Sequence, residues 1–223
     1  MSSHPRIALI HATRISVDPI ETAISEQWPD AETVCILEEG LSADRASGRA
    51  TLDELNARIV RLARYAEDMG PDGILYTCSA FGRGIEEAAA TSDIPVLKPN
   101  EAMFEAAFEE GDDIVMLYTF KPAVESMEVE FREEAERRDS SAKMRSVHVA
   151  GAREALLAGD GETHNRLVAE AAKALGKVDA ILLAHFSMAP AAAVVRSMTD
   201  VPVLSSPEAA IKKLQSALRG TPE

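Results

Sequence analysis

The sequence predicts an α/β protein made of two similar lobes, each built around a parallel sheet. Three observations support this class. Short apolar runs alternate with helical patterns along the chain, the second half repeats the first at a constant offset, and aromatic residues make up only 4% of the total. With 223 residues and 46% hydrophobic content, the chain is long enough to bury two cores.

The first half of the chain is predicted to contain four strands with helices between them. Short apolar runs place the strands at 6–12, 32–38, 73–77 and 94–97. Helical spacing places the helices at 18–28, 52–69 and 84–90. Pro19 suits the first turn of the first helix, and Gly70-Pro71 ends the second.

The second half follows the same plan. Strands are predicted at 113–119, 144–149, 180–184 and 201–204, and helices at 123–138, 161–175 and 206–218. Ser206 is expected to be the N-cap of the last helix, with Pro207 next. Strands that alternate with helices indicate parallel sheets.

An internal duplication explains the similarity of the halves. Residues 72–102 align without a gap on 179–209, at an offset of 107. Nine of these 31 positions are identical, in the pairs Asp72/Asp179, Ile74/Ile181, Leu75/Leu182, Asp93/Asp200, Pro95/Pro202, Val96/Val203, Leu97/Leu204, Glu101/Glu208 and Ala102/Ala209. The same offset places the strand at Ile7 on the strand at Ile114, so the repeat extends beyond one phrase.

The repeat aligns two reactive side chains, Cys78 and His185. Each follows a predicted strand directly. Ligands of parallel sheets bind beyond the carboxyl ends of the strands, so two facing lobes are expected to project these side chains into one cleft. The alternative is that both residues are ordinary core positions, and the duplication favours the functional interpretation.

Cys78 is a candidate base or nucleophile. It precedes a predicted helix, where backbone N–H groups and the helix dipole favour thiolate over thiol. His185 is a candidate acid or base, because an unperturbed imidazole titrates near a pH of about 6.5.

Several polar residues at the strand ends are candidates for substrate binding. Thr13, Ser79 and Thr119 supply hydroxyl groups that suit a carboxylate, and Ser187 is expected to bond the substrate or cap the next helix. His11 is either a third titrating group or a histidine bonded within the fold.

Composition and spacing argue against several functions. The net charge of −14 argues against binding to nucleic acid or to an anionic membrane surface, but not against a small anionic substrate. The five histidines show no paired ligand spacing, so no metal site is expected, and no glycine-rich nucleotide motif indicates an organic cofactor.

The two cysteines and the start of the chain bear on location. With two cysteines and large cores, we expect free thiols in a reducing compartment, with Cys35 in the core. The first residues contain no long apolar segment, and we expect a cytoplasmic protein.

Two short motifs resemble the aspartate/glutamate/hydantoin racemase superfamily, which also contains maleate isomerases and arylmalonate decarboxylases. "YTCSAFG" from Tyr76 resembles the first cysteine motif of that family, and "LLAHFSMAP" stands where the second is expected, with His185 in place of cysteine. The resemblance covers nearly the whole chain.

The resemblance implies two flavodoxin-like lobes, the first comprising 1–98 with a returning helix at 206–223 and the second comprising 99–205, with the active site in the cleft between them. It implies no metal, no organic cofactor, and a small carboxylate or hydantoin as substrate. In the racemases, two cysteines face opposite sides of a carbon acid: one removes the proton and the other returns it.

The Cys78/His185 pair leaves the reaction open. It is suited to moving a proton at a carbon acid, with thiolate as base and imidazolium as acid, as in an epimerase. Alternatively, Cys78 adds to an activated alkene, as in maleate isomerases. A decarboxylase ranks lower, because the family's decarboxylases keep the cysteine of the second half. A cytoplasmic protein that binds a small anion without turnover is the non-enzyme alternative, and a homodimer is an open expectation.

Overall fold

The computed structural model describes residues 4–219, which form two compact units. The first unit extends to Pro99 and resumes at Ala210, and the second extends from Asn100 to Ala209. Each unit contains one parallel four-stranded sheet. The predicted α/β class with two parallel-sheet lobes is confirmed.

The first sheet has the order β2-β1-β3-β4. Its strands are β1 (Arg6–His11), β2 (Glu32–Leu37), β3 (Gly73–Tyr76) and β4 (Val96–Leu97). The helices of this part of the chain are α1 (Val17–Gln27), α2 (Gly40–Ser47), α3 (Leu52–Glu67) and α4 (Gly82–Thr91). The central strands β1 and β3 are almost fully buried, as expected of parallel strands covered on both faces.

The second sheet repeats this order as β6-β5-β7-β8. Its strands are β5 (Asp113–Tyr118), β6 (Lys143–His148), β7 (Ala180–Leu183) and β8 (Val203–Ser205). Its helices are α5 (Glu101–Glu110), α6 (Lys121–Arg137), α7 (Ala152–Leu157), α8 (Gly161–Lys173) and α9 (Ala192–Arg196). Helix α10 (Ser206–Arg219) begins after β8 and continues into the first unit.

Side-chain alternation along the central strands determines which residues face each helix layer. In β3, Ile74 and Tyr76 belong to a core cluster with Leu41 of α2 and Leu55 of α3. In β7, Ile181 and Leu183 belong to the corresponding cluster with Ala152 of α7 and Val168 of α8. The residue two positions beyond each strand's last core residue therefore lies on the same side as these helices.

The structure corrects some details of the prediction. Cys35 was expected in the core, but it is exposed, because β2 is an edge strand and leaves one side open. Helices α2, α5, α7 and α9 were not predicted. Ser206 lies inside α10, and its hydroxyl donates to Asn100 Oδ1 at 3.2 Å. No helix between residues 4 and 219 is long and apolar enough to cross a membrane.

Candidate active site

Cys78 lies just beyond the carboxyl end of β3. It has an extended backbone and precedes a short 3-10 turn, Ser79–Phe81, that leads into α4. Alternation from Tyr76 places its side chain on the α2 and α3 side, and the thiol packs against that core cluster. Cys78 therefore lies at a strand end, as predicted.

Two groups donate hydrogen bonds to the Cys78 sulfur. They are the backbone N–H of Ala80, in the turn after Cys78, and the hydroxyl of Ser42 on α2. Both bonds, with the positive charge of Arg45, lower the pKa of the thiol, but burial raises it more. The predicted downward shift is therefore wrong: the net pKa lies above its ordinary value, and Cys78 rests as a thiol at neutral pH.

Arg45 connects α2 to the turn that follows Cys78. Its guanidinium donates to the Ala80 carbonyl and lies over the Phe81 ring, 5.5 Å from the ring centre. These contacts hold the positive charge of Arg45 near the Cys78 sulfur. Arg45 and Ser42 were not predicted, because the segment that forms α2 shows no strong helical pattern.

His11 belongs to a buried hydroxyl network at the end of β1. Its Nδ1 lies 2.8 Å from Thr77 Oγ1 and 3.1 Å from Ser16 Oγ, and these two oxygens are 2.9 Å apart. His11 is fully buried, and burial lowers its pKa to about 4 despite the opposing effect of Glu21. The network connects β1 to Thr77, the residue before Cys78.

Two other predicted residues of the first unit lie close to these elements in the chain. Thr13 is half-buried, and its carbonyl accepts from Ser16 Oγ at 2.9 Å. Ser79 is buried and directly follows Cys78. The role of the Thr13 and Ser79 hydroxyls in substrate binding stays a prediction.

His185 occupies the matching position after β7. Its backbone is extended, and it precedes the 3-10 turn Phe186–Ala191. Alternation from Leu183 places its side chain on the side of α7 and α8. Cys78 and His185 therefore stand at equivalent places in two sheets of the same topology.

The hydrogen bond at His185 identifies its protonation state. The backbone N–H of Phe120 donates to His185 Nε2 at 3.2 Å, so this nitrogen has a lone pair and the proton is on Nδ1. Burial, with smaller contributions from positive charge on Arg153 and His164, lowers the pKa of His185 to about 4. The unliganded protein therefore holds His185 as a neutral imidazole, because a buried cation beside another cation is unfavourable.

Arg153, at the start of α7, acts electrostatically on His185 as Arg45 acts on Cys78. It is half-buried, and its guanidinium lies 4.4 Å from the centre of the Phe120 ring. Burial lowers its pKa. Within residues 4–219, no carboxylate forms an ion pair with Arg153, so its charge is available to an anionic ligand.

The remaining predicted residues of the second unit are Thr119 and Ser187. Both are buried: Thr119 lies between β5 and Phe120, and Ser187 is in the turn after His185. The ring of Tyr118 contacts His148, with centres 5.2 Å apart. Of these residues, Thr119 directly precedes Phe120, whose N–H donates to His185, and Ser187 lies two positions after His185.

The internal repeat places the two arginines, Arg45 and Arg153, in similar positions of the two halves. At the offset of 107, Arg153 aligns one residue beyond Arg45, so each half places an arginine in the segment after its edge strand. Among the described residues, no group of three or more His, Cys, Asp and Glu is arranged to hold a metal ion.

The fold and the two matched strand ends define a class of duplicated α/β proteins with one titratable residue per lobe. The model of the Asp/Glu/Hydantoin racemase family matches residues 10–214, and the chain belongs to this family. The resemblance seen in the motifs is confirmed. Family membership makes the protein an enzyme of the racemase and isomerase type.

Solved structures show the same fold. Aspartate racemase from Picrophilus torridus is 18% identical, with a TM-score of 0.70, and the match covers 98% of this chain and 96% of that one. Allantoin racemase from Pseudomonas fluorescens is 18% identical, with a TM-score of 0.66 and coverage of 96% and 91%. A glycine-to-cysteine mutant of arylmalonate decarboxylase is 20% identical, with a TM-score of 0.70 and coverage of 98% and 95%. Comparison of the sequence with curated proteins finds no significant match.

Proposed function

We propose that the protein is a cofactor-independent racemase or epimerase that moves a proton at the carbon acid of a small carboxylate or hydantoin-like substrate. Cys78 and His185 act as the acid and base. The observation that carries this proposal is the equivalence of the two residues: each follows the third strand along its lobe, each precedes a 3-10 turn, and each is surrounded by donors. The family provides the reaction class.

The resting protonation states suggest the direction of the first step. The unliganded pair is a thiol and a neutral imidazole, because burial raises the pKa of Cys78 and lowers that of His185 to about 4. In this step the Phe120 N–H releases His185 Nε2, which then removes the proton, and the electron pair of the C–H bond moves into the adjacent carbonyl or carboxylate group. The Cys78 thiol then donates its proton to the opposite face of the carbon.

This step leaves a thiolate on the first lobe and an imidazolium on the second. Ser42, the Ala80 N–H and Arg45 stabilise the thiolate. The reverse reaction uses the same pair with exchanged roles, thiolate as base and imidazolium as acid. After product release, proton exchange through solvent restores the thiol and the neutral imidazole.

Arg153 connects substrate binding to the acidity of His185. An empty site leaves its charge unpaired, and this charge lowers the pKa of His185. A substrate carboxylate paired with Arg153 would cancel that charge and remove one contribution to the low pKa of His185, while burial, the largest cause, remains. We propose Thr13, Ser79, Thr119 and Ser187 as further donors to substrate oxygens.

His11 receives a different role in this proposal. Its Nδ1 is already used by two hydroxyls inside the first unit, and its side chain is fully buried. We therefore propose that it maintains the junction before Cys78 and does not bind substrate.

Solvent deuterium exchange tests this proposal. Single enantiomers of aspartate, glutamate, allantoin and 5-substituted hydantoins are incubated in D₂O with wild type, Cys78→Ala, His185→Gln and the control Cys35→Ala. We expect deuterium at the α-carbon together with racemisation of at least one compound by wild type and by Cys35→Ala. Undiminished racemisation by Cys78→Ala would contradict the proposal.

A second candidate is cis-trans isomerisation of an unsaturated dicarboxylate through a covalent Cys78 adduct. The unmatched pair favours it, since only the thiol is a strong nucleophile once ionised. The thiolate adds to one alkene carbon, the π electrons move into the conjugated carboxylate, the former double bond rotates, and the thiolate is expelled. With maleate in D₂O, this route gives the trans product without deuterium, whereas proton transfer at carbon introduces deuterium.

A further inference from the structure

Helix α2, which carries Ser42 and Arg45, has little apolar attachment to the first lobe. It spans about two turns, Gly40–Ser47, and Leu41 is the side chain of this segment that is buried in the core. An isolated helix of this length is unstable in water. The position of α2, and of the two polar groups that it carries, therefore depends on polar contacts.

Arg58 on α3 provides such contacts at two places. Its Nη2 donates to Glu38 Oε2 at 2.5 Å, just before α2, and its Nη1 donates to Asp44 Oδ2 at 2.7 Å, in the middle of α2. The three side chains are only 18–29% exposed, so solvent screens these ion pairs less than pairs on the open surface. Asp44 also lies 3.7 Å from the exposed Arg49. One guanidinium thus holds both the start and the middle of α2.

Gly40, the first residue of α2, fits closely against this ion pair. A Cβ at this position would lie 2.6 Å from Glu38 Oε1 and 2.8 Å from Arg58 Nη2, closer than side chains approach each other. The backbone N–H of Gly40 donates to the same Glu38 oxygen at 3.1 Å. The start of α2 therefore leaves no space for a methyl group beside the guanidinium.

The second lobe joins the equivalent segments by apolar contact. Strands β2 and β6 begin 111 residues apart, and at this offset Val149 takes the place of Glu38 and Gly151 the place of Gly40. Val149 is buried, and a Cβ at Gly151 would lie 3.6 Å from Leu167 of α8. Apolar packing thus satisfies this junction, and such packing is often at least as stabilising as a buried ion pair. The charges of the first lobe therefore indicate a role beyond stability.

Helix α2 in turn contacts the segment that contains Cys78. Arg45 donates to the carbonyl of Ala80, and its guanidinium lies 5.5 Å from the centre of the Phe81 ring. The hydroxyl of Ser42 donates to the sulfur itself. A displacement of α2 would therefore move a donor and a positive charge away from the thiol.

We propose that Arg58 is a positioning residue for Cys78. By bridging two carboxylates, it holds α2 where Ser42 and Arg45 stabilise the thiolate form of the sulfur. A guanidinium suits this role because its planar fork bonds two partners in fixed directions, whereas an ammonium group is a point charge. The inference rests on the proposed function, in which Cys78 passes between thiol and thiolate.

The rate of alkylation of Cys78 by iodoacetamide as a function of pH tests this role. It is measured in the full chain with Cys35→Ala. Arg58→Gln should raise the pKa of the thiol by about one unit, the lower end of the range for loss of a nearby opposite charge. The matched control is Arg6→Gln, which removes an ion pair with Glu32 at 3.0 Å where β1 and β2 begin. This control should leave the pKa unchanged even if it lowers stability to urea.

Asp44→Ala separates positioning from a simple effect of charge. Loss of a negative charge would by itself lower the pKa of Cys78, because the thiolate is then less opposed. Loss of the bridge should instead raise this pKa, and a raised pKa is the expected result. An unchanged or lowered pKa in Asp44→Ala, or an unchanged pKa in Arg58→Gln, would overturn the inference. Asp44→Ala decides alone if Arg58→Gln does not fold.

Alkylation needs no substrate, so this inference and the proposed function can fail separately. Racemisation by Cys78→Ala is measured beside the alkylation of Arg58→Gln. If Cys78→Ala keeps the wild-type rate of racemisation, the proposed function fails. If Cys78→Ala loses that rate while Arg58→Gln keeps the wild-type pKa of the thiol, only the role of Arg58 fails.

Discussion

The two lobes place different chemistry on the same framework. In the first, Ser42, the Ala80 N–H and Arg45 surround a thiol, and in the second, the Phe120 N–H and Arg153 surround an imidazole. In both lobes the hydrogen-bond donors and the arginine favour negative charge, whereas burial opposes any charge. For the thiol the donors only partly offset burial, so its pKa stays raised; for the imidazole burial and the arginine act together and favour the neutral form. The same framework therefore acts differently on a thiol and on an imidazole.

The difference between the lobes shows that residue type alone does not determine the protonation state. An imidazole is the usual acid at neutral pH, yet His185 rests without a second proton. Burial is the main cause of its lowered pKa, and the charge of Arg153 adds to it. The thiol, by contrast, has its stabilising groups in place before any ligand arrives.

Removal of either reactive side chain should have the largest effect on the rate of racemisation. Cys78→Ala and His185→Gln should each lower the rate of racemisation about a hundredfold to ten-thousandfold, the usual contribution of a general acid or base. The measurement is circular dichroism of the substrate with time. Cys35→Ala should change the rate less than twofold, because Cys35 lies on an exposed edge strand. A variant of either active residue within twofold of wild type would contradict the pairing.

Arg153→Gln should change the pKa of His185. It removes a charge that lowers the pKa of His185, so this pKa should rise from about 4 toward its ordinary value. Histidine NMR titration of the free protein measures the shift. The same variant should raise KM for a carboxylate about tenfold, through loss of a charged hydrogen bond.

The control for this prediction is Arg166→Gln. Arg166 is on α8 but is exposed and paired with Glu170 at 2.9 Å. It should leave both the pKa of His185 and KM unchanged. An unchanged pKa of His185 in Arg153→Gln would remove the proposed link between substrate charge and acidity.

The His11 network predicts a pH dependence of stability in the first lobe. The pKa of His11 is lowered from 6.5 to about 4, so its contribution is complete above pH 6.5 and is lost as the pH falls to about 4. The loss should be about 3 kcal/mol of unfolding free energy at low pH. Urea unfolding at pH 7 and 4.5 should show a smaller difference for His11→Asn than for wild type. An equal difference would mean that His11 is not the group that titrates.

Ser42→Ala should have the smallest effect. It removes one neutral hydrogen bond to the Cys78 sulfur, so the pKa of the thiol should rise by less than about one unit. The rate of alkylation by iodoacetamide as a function of pH, in a Cys35→Ala background, measures this pKa. The matched control is Ser47→Ala, whose hydroxyl donates to Ala43 O within the same helix. A lowered pKa in Ser42→Ala would show that the hydroxyl does not stabilise the thiolate.

Much of the architecture could be predicted because it follows from local pattern. Apolar runs identified all eight strands, and the offset of 107 placed Cys78 and His185 at equivalent strand ends. These features depend on periodicity and on repetition, which a single sequence displays directly. The order of the strands within each sheet was not predicted, because it depends on tertiary contacts.

The protonation states could not be predicted because they depend on burial. Helix position at Cys78 favours a low pKa, but the surrounding core reverses the shift. Arg45 and Arg153 lie on short helices without a strong apolar period. Their proximity to Cys78 and His185 is visible only in the folded structure. The exposure of Cys35 could not be predicted either, because only the strand order shows that β2 lies at the edge of its sheet.

The most direct test of the central claim is α-proton exchange measured separately for each enantiomer of a substrate. If Cys78 and His185 serve opposite faces of one carbon, Cys78→Ala should exchange the proton of one enantiomer only, and His185→Gln the proton of the other only. Wild type should exchange both. Exchange of the same enantiomer by both variants would contradict the account.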